Sequence, residues 1–338
     1  MATSNTLKKT KSTTYPEPLL VPSTLTHKHT FIILHGRGSN AQKFGPPLLS
    51  TEISPGTTLQ TAFPHAKFVF PTASKRRAQI YNRSIIHQWF DNWSLSVPTE
   101  REALMLDGLR ESSSYVHGLI TEAVKEVGAN NVALGGLSQG CAAMLISMLT
   151  WDGEPLAAAF GMCGWLPLRQ HLADITDPQT QSDNGENPFA QEEDADGELD
   201  LPAQAVAWLR EELDLPIRST PSVIAPNSAS SPTPSPSSPN ILLPFQRTPL
   251  FLAHGTADEK VKIELGLEAR DCLTSLQIDV TWSEYESLGH WYSGHMLGAL
   301  VECLEHKTDW AAAVPETCDR ENLNAAEEIN MEGSSGGR

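Results

Sequence analysis

Residues 131–149 read NVALGGLSQGCAAMLISML, and the fold turns on how this stretch is read. Val132–Gly136 has the apolar character of a short strand, CAAMLISML has helical composition, and Ser138 stands between them in G-x-S-x-G spacing. The pentapeptide alone is common; its setting is not. A strand that turns sharply through a serine into a helix is the setting of a nucleophile elbow, in which flanking glycines let a strained turn lift the hydroxyl above the sheet. The helix that follows points the positive end of its dipole at any negative charge developing there.

Working outward from Ser138, short apolar runs alternate with helical patterns. FIIL (31–34), KFVF (67–70), VALGG (132–136), AAAF (157–160), LFLAHG (250–255) and IDVTWSEY (278–285) are expected as strands. Glu100–Glu126, Gln139–Leu149, Lys262–Leu276 and Tyr292–Glu305 are expected as helices. This alternation predicts an α/β fold, a mostly parallel central sheet with helices on both faces.

A serine at an elbow needs a base and the base an orienting acid, in the chain order Ser, Asp, His for this architecture. Asp258 lies just beyond the strand LFLAHG, and His290 lies in the loop ESLGHWYSG after the last strand. His295 and His306 are rivals to His290, but both fall in the helical stretch; Asp279 is a rival to Asp258, but it falls inside a strand. An oxyanion hole requires two backbone donors. The N–H of Gln139, next to the nucleophile, is one, and the N–H of Arg37, in the His35-Gly36-Arg37-Gly38 loop after FIIL, is assigned as the other. His35 precedes Ser138 and reads as a buttress of its loop rather than the base.

Composition narrows the function classes. A chain of 338 residues, 40% hydrophobic, can bury a large core. A formal charge of -17, from 41 acidic against 24 basic residues, argues against nucleic acid as a partner. Five scattered cysteines (Cys141, Cys163, Cys272, Cys303, Cys318) without a C-x-x-C pair indicate neither a disulfide framework nor a zinc site. There is no G-x-G-x-x-G after a strand and no G-x-x-x-x-G-K-[ST], so no nucleotide fingerprint competes. The N-terminus lacks the apolar core of a signal peptide, and no run of about 18 apolar residues occurs, so a cytoplasmic protein without stable membrane insertion is expected.

Three segments are expected to be disordered: a leader over 1–28, a tail over 311–338, and an insert over about 172–245 that interrupts one domain spanning 29–310. The insert holds eight acids and no Lys or Arg from Gln181 to Asp200, and a Pro/Ser-rich run from Ser219 to Asn240. Between these, Val206, Leu209 and Leu213 recur at helical spacing behind Asp200 and Pro202, predicting a docked helix, either a surface helix or a lid. Partners of the Pro/Ser run are not specified by its composition.

Six motifs in order, HGRGSN (35–40), HQWFDNWSL (87–95), GGLSQG (135–140), GWLPL (164–168), HGTADEKV (254–261) and LGH (288–290), resemble the acyl-protein thioesterase and lysophospholipase branch of the phospholipase/carboxylesterase family of α/β-hydrolases. The likeness covers about 29–171 and 246–306. It implies a serine hydrolase without metal or organic cofactor, acting on thioesters of lipid-modified proteins, lysophospholipids or small carboxylic esters, with Ser138, Asp258 and His290 as its triad. Trp89 and Phe90, followed by Asp91, match the W-F-D motif near the family's acyl pocket, and Trp165 and Leu166 are expected at the same pocket. Two departures stand out. The long insert is absent from the compact family core. Arg37 occupies an H-G-x-G position that is usually aliphatic, and an unpaired buried guanidinium is costly, so it is expected to reach solvent or an anionic partner. Two other readings remain open on the residues: an esterase of short-chain or aromatic esters, and a catalytically retired hydrolase serving as a binding module.

Overall fold

Every apolar run expected as a strand lies in one seven-stranded sheet of the computed structural model, which describes residues 14–177, 200–216 and 242–313. The strands are β1 (Leu19–Val21), β2 (His29–Leu34), β3 (Glu52–Ser54), β4 (Thr57–Thr58), β5 (Ala66–Phe70), β6 (Lys75–Ala78), β7 (Ser84–His87), β8 (Val132–Leu137), β9 (Ala158–Met162), β10 (Leu250–Gly255) and β11 (Val280–Tyr285). The helices are α1 (Ala41–Ser50), α2 (Leu59–Ala62), α3 (Ala103–Val127), α4 (Gln139–Leu149), α5 (Arg169–Thr176), α6 (Leu201–Glu212), α7 (Ile263–Ser275) and α8 (Gly294–Lys307). The sheet order is β1-β5-β2-β8-β9-β10-β11. Its pairings are parallel except that of β1, which runs antiparallel to β5.

The central strands are continuous apolar runs because both faces of the sheet are covered. On β2, Phe31 and Ile33 enter a core with Phe68, Phe160 and Leu300 on one face, while Ile32 and Leu34 enter a second core with Leu134, Leu145 and Leu273 on the other. Edge strand β11 is only half buried along its length, consistent with its alternating VTWSEY pattern. The parallel strands bring the segments after β2, β8, β10 and β11 to one edge of the sheet, where every candidate catalytic residue lies.

The expected disordered leader ends earlier than residue 28. Leu19–Val21 pair with Phe68–Phe70, and Tyr15 stacks on Tyr115 with ring centroids 3.9 Å apart. Three residues are too short to register as a strand by pattern, and their partner β5 supplies the ladder. Helix α1 and the hairpin β6–β7 were also not anticipated. Pro46 and Pro47 inside α1 conceal it from propensity, whereas Asn40 caps it through Lys43 N (2.9 Å).

Of the insert, residues 178–199 and 217–241 lie outside the described residues, as do 1–13 and 314–338. The expected helix is α6, capped by Asp200 Oδ1 on Ala203 N (3.1 Å), with Val206, Leu209 and Leu213 buried. Arg210 ties it to Thr150 O and to Asp152 (3.2 Å), and Trp208 stacks on His171. Thr150 follows the last residue of α4, so this anchor is about 16 Å of helix away from Ser138. α6 is thus a surface helix docked at the far end of α4, not a lid. Among the described residues, no helix is long and apolar enough to cross a membrane.

Candidate active site

Strand β8 delivers Ser138 into a backbone conformation with φ 57° and ψ −121°. A non-glycine residue there carries about 1–3 kcal/mol of strain, so the surroundings must hold it. Ser138 N donates to Met162 O (2.8 Å), and Ala142 N donates to Ser138 O (3.0 Å). The flanking glycines are demanded by close packing: a Cβ on Gly136 would lie 2.4 Å from the Gly140 carbonyl, and one on Gly140 2.3 Å from Leu34 O. Helix α4 begins at Gln139, directly behind the serine.

The structure brings Ser138, His290 and Asp258 together. His290 Nε2 is 2.8 Å from Ser138 Oγ, and His290 Nδ1 is 2.7 Å from Asp258 Oδ2. Lys260 N and Val261 N both donate to Asp258 Oδ1 at 2.9 Å, and His254 Nε2, bonded to Val261 O, lies 3.3 Å from Oδ2. Burial opposes the carboxylate's charge. Bonds from His254, His290 and Val261 N outweigh it and hold Asp258 well below the usual carboxylate range. An ionised Asp258 only accepts, so His290 carries its proton on Nδ1 and offers the Nε2 lone pair to Ser138. The rivals lie elsewhere: His295 and His306 are on α8, and Asp279 pairs with Lys307 at 2.7 Å.

The loop after β2 backs onto the nucleophile, since a Cβ on Gly36 would sit 3.4 Å from Ser138 Cβ. His35 Nε2 accepts from Ala73 N (3.1 Å), which places the proton on Nδ1, and Nδ1 donates to Gly36 O (2.7 Å). Burial lowers the His35 pKa to about 4, keeping the ring neutral. Within a trans peptide the carbonyl and the next N–H point in opposite directions. Fixing Gly36 O therefore fixes the direction of the Arg37 N–H. His35 is a buttress, as its position before Ser138 suggests.

A cavity of about 540 Å³ opens over Ser138 and His290. Trp165 lines it, but Trp89, Phe90 and Leu166 do not; all three are buried. Trp89 and Phe90 instead clamp the loops around the nucleophile. Gln139 Oε1 accepts from Trp89 N (3.1 Å), Gln139 Nε2 donates to Phe90 O (2.8 Å), and Trp89 Nε1 donates to His35 O (2.7 Å). A W-F pair beside a pocket motif does not reveal whether it faces the pocket or the frame. The cavity wall missing from the expectation comes from Ile80 and Tyr81 at the β6–β7 tip, from Trp93, and from Trp291 beside the base.

Cys163, Asp258 and His290 place their donor atoms within 4.8 Å of one another, the one grouping of metal-ligand chemistry among the described residues. Asp258 and His290 are committed to each other there. The Cys163 thiol donates to Trp291 O (3.4 Å), and burial with the nearby Asp258 pushes its pKa up to about 12.

A family model described as phospholipase/carboxylesterase matches residues 17–181, which contain the elbow and the loop after β2. The chain is 24% identical over 273 residues to acyl-protein thioesterase 1 of Yarrowia lipolytica, covering 80% of this chain and 88% of that protein. It is 28% identical over 151 residues to acyl-protein thioesterase 1 of Schizosaccharomyces pombe, covering 44% of this chain and 62% of that protein. The crystal structure of Zea mays acyl-protein thioesterase 2 superposes with a TM-score of 0.56 at 20% identity, over 87% of this chain and 99% of that one. The fold is that of the α/β-hydrolases.

Proposed function

We propose that this chain, which resembles the acyl-protein thioesterases of the phospholipase/carboxylesterase family, cleaves acyl esters and thioesters through an acyl-enzyme on Ser138. The observation that carries the reading is the unbroken chain from Ser138 Oγ to His290 to Asp258, at 2.8 and 2.7 Å, under an open cavity. His290 takes the Ser138 proton as Oγ attacks the acyl carbonyl, and Asp258 stabilises the resulting imidazolium. The N–H groups of Arg37 and Gln139 receive the oxyanion. His290 then protonates the leaving alcohol or thiol, and water, activated by the same base, releases the acid. No step calls for a metal or an organic cofactor.

Acyl donors on lipid-modified proteins or small molecules fit this chemistry, the former supported by the names of the relatives above, and a cytoplasmic setting suits such substrates. A second reading, esters of short or aromatic acids, is favoured by a specific feature: Tyr81, Trp93, Trp165 and Trp291 all line the cavity. A fluorophosphonate probe should label the wild-type protein and leave Ser138→Ala unlabelled. Thioesters, lysophospholipids and p-nitrophenyl esters of graded chain length then rank the substrates. Absence of labelling at Ser138 would turn the reading to a retired hydrolase that binds without turnover.

A further inference from the structure

The cavity over Ser138 carries a charge opposite to that of the protein. The chain has a formal charge of -17, yet among the described residues no Asp or Glu lines the cavity. Apart from His290, the ionisable cations among the described residues that line it are Arg37 and Lys260. Lys260 enters beside the acid of the triad, its own N–H bound to Asp258 Oδ1. Arg37 enters beside the oxyanion loop, one residue from the Gly36 backbone that touches Ser138.

Arg37 is partly buried and lines the cavity, with Asp91 as its nearby anion. Its Nε and Nη2 are buried without a hydrogen-bond partner. Burial works against the guanidinium charge, and the Tyr81 hydroxyl and the Asp91 carboxylate offset part of that cost. The Asp91 carboxylate is already shared, accepting from Gln79 N at 3.1 and 3.3 Å. Two fork donors remain, on a residue that lines the cavity together with Ser138 and His290, and an alkyl chain would leave them so. A carboxylate or phosphate on the substrate, drawing the guanidinium toward the cavity, would supply the missing acceptors.

From the juxtaposition of Arg37, Lys260 and an acid-free cavity wall around Ser138, we infer that the preferred acyl substrate carries an anionic group, a carboxylate or phosphate, a few bonds from its scissile carbonyl. The inference rests on the serine-hydrolase reading of Ser138. Arg37 acts twice: its backbone N–H faces the oxyanion, and its side chain selects the substrate.

The test compares p-nitrophenyl hexanoate with mono-p-nitrophenyl adipate, which differ by a terminal carboxylate on the acyl side. A second pair, phenyl and 3-carboxyphenyl hexanoate, moves the charge to the leaving group. The full-length wild type should favour the anionic member of at least one pair by about tenfold or more in kcat/KM, mainly through KM, and added salt should erode the preference. Arg37→Gln should cut that preference about tenfold, Arg37→Lys should keep part of it, and Lys260→Gln should reduce it less. The pair that shows the preference identifies the side of the scissile bond that bears the anion. A wild type indifferent to charge in both pairs, or an Arg37→Gln variant with the wild-type preference, overturns the inference and leaves Arg37 as a brace between its loop and the β6–β7 hairpin. In either outcome the wild type still hydrolyses hexanoate and is labelled at Ser138. Failure of the serine-hydrolase reading abolishes both, and this inference with it.

Discussion

The two halves of the candidate site are built differently. The acid–base half presents side-chain atoms, and loops of a few residues after β10 and β11 suffice to place them: Asp258 is held by the N–H groups of Lys260 and Val261, two and three residues away. The proposed oxyanion half presents peptide N–H groups, which cannot choose a rotamer, so distant segments must fix the backbone itself. Trp89 reaches His35 O across 54 positions, Gln139 reaches Phe90 O across 49, and Gly38 N donates to His87 O at 2.8 Å. A functional group on a side chain needs a neighbour; one on the backbone needs a frame.

Breaking the acid–base half should cost the most. Ser138→Ala or His290→Ala should lower kcat on a p-nitrophenyl ester by about four orders of magnitude or more with the fold retained by circular dichroism, because either loss disables the same unit. Asp258→Asn should fall somewhat short of that. His295→Ala as harmful as His290→Ala would show the base to be misassigned.

Breaking the frame should cost less activity but more stability. Gln139→Ala keeps the N–H at 139 yet leaves Trp89 N and Phe90 O buried without partners. We expect a loss of roughly 2–4 kcal/mol in urea unfolding and a fall in kcat of about 10²-fold or less, short of losing an oxyanion donor outright. A loss of activity as deep as that of Ser138→Ala would dissolve the distinction between the halves.

The buttress carries a pH signature. The folded value of His35 lies near 4 against an ordinary 6.5, so the unfolded chain holds its proton more tightly. The contribution of neutral His35 is complete above pH 6.5 and is lost as the pH falls toward 4, by about 3 kcal/mol in all. Urea titrations across this window should show His35→Gln with a shallower acid slope than wild type; parallel slopes would mean that the ring is not neutral in its site.

The smallest effect on catalysis belongs to the far end of α4. Arg210→Ala should destabilise the protein by about 1–3 kcal/mol while leaving small-ester hydrolysis within a few-fold, because its contacts are to Thr150, Asp152 and Pro216. A large kinetic effect would tie α6 to the site after all.

The same contrast governs what could be read in the residues. Strands β2, β5, β8, β9 and β10 are legible because two-sided burial leaves continuous apolar runs, edge strand β11 through its alternating pattern, and the elbow through its glycines. His290 and Asp258 are legible because their chemistry requires those residue types at strand ends. The frame is not: a bond from Trp89 to a backbone carbonyl leaves no mark beyond a tryptophan, which is why Trp89 and Phe90 pass for cavity lining. The aromatic wall from the β6–β7 hairpin was missed for a related reason, since KRRA and SIIH carry none of the alternation of a half-buried strand.

The anchoring of α6 has a further consequence. Thr176 meets Ser275 at the end of α7, Arg210 holds Pro216 beside Thr150, and Leu243 meets Gln246 just before β10 begins. Positions 177, 216 and 242 therefore all lie by the sheet edge from which the parallel strands start, and Ser138 lies past the edge at which they end. The molecule has a working front and a back where chain can be added. A tether, a tag or a whole second domain spliced in at those positions would hang behind the enzyme and leave its mouth free to meet substrate.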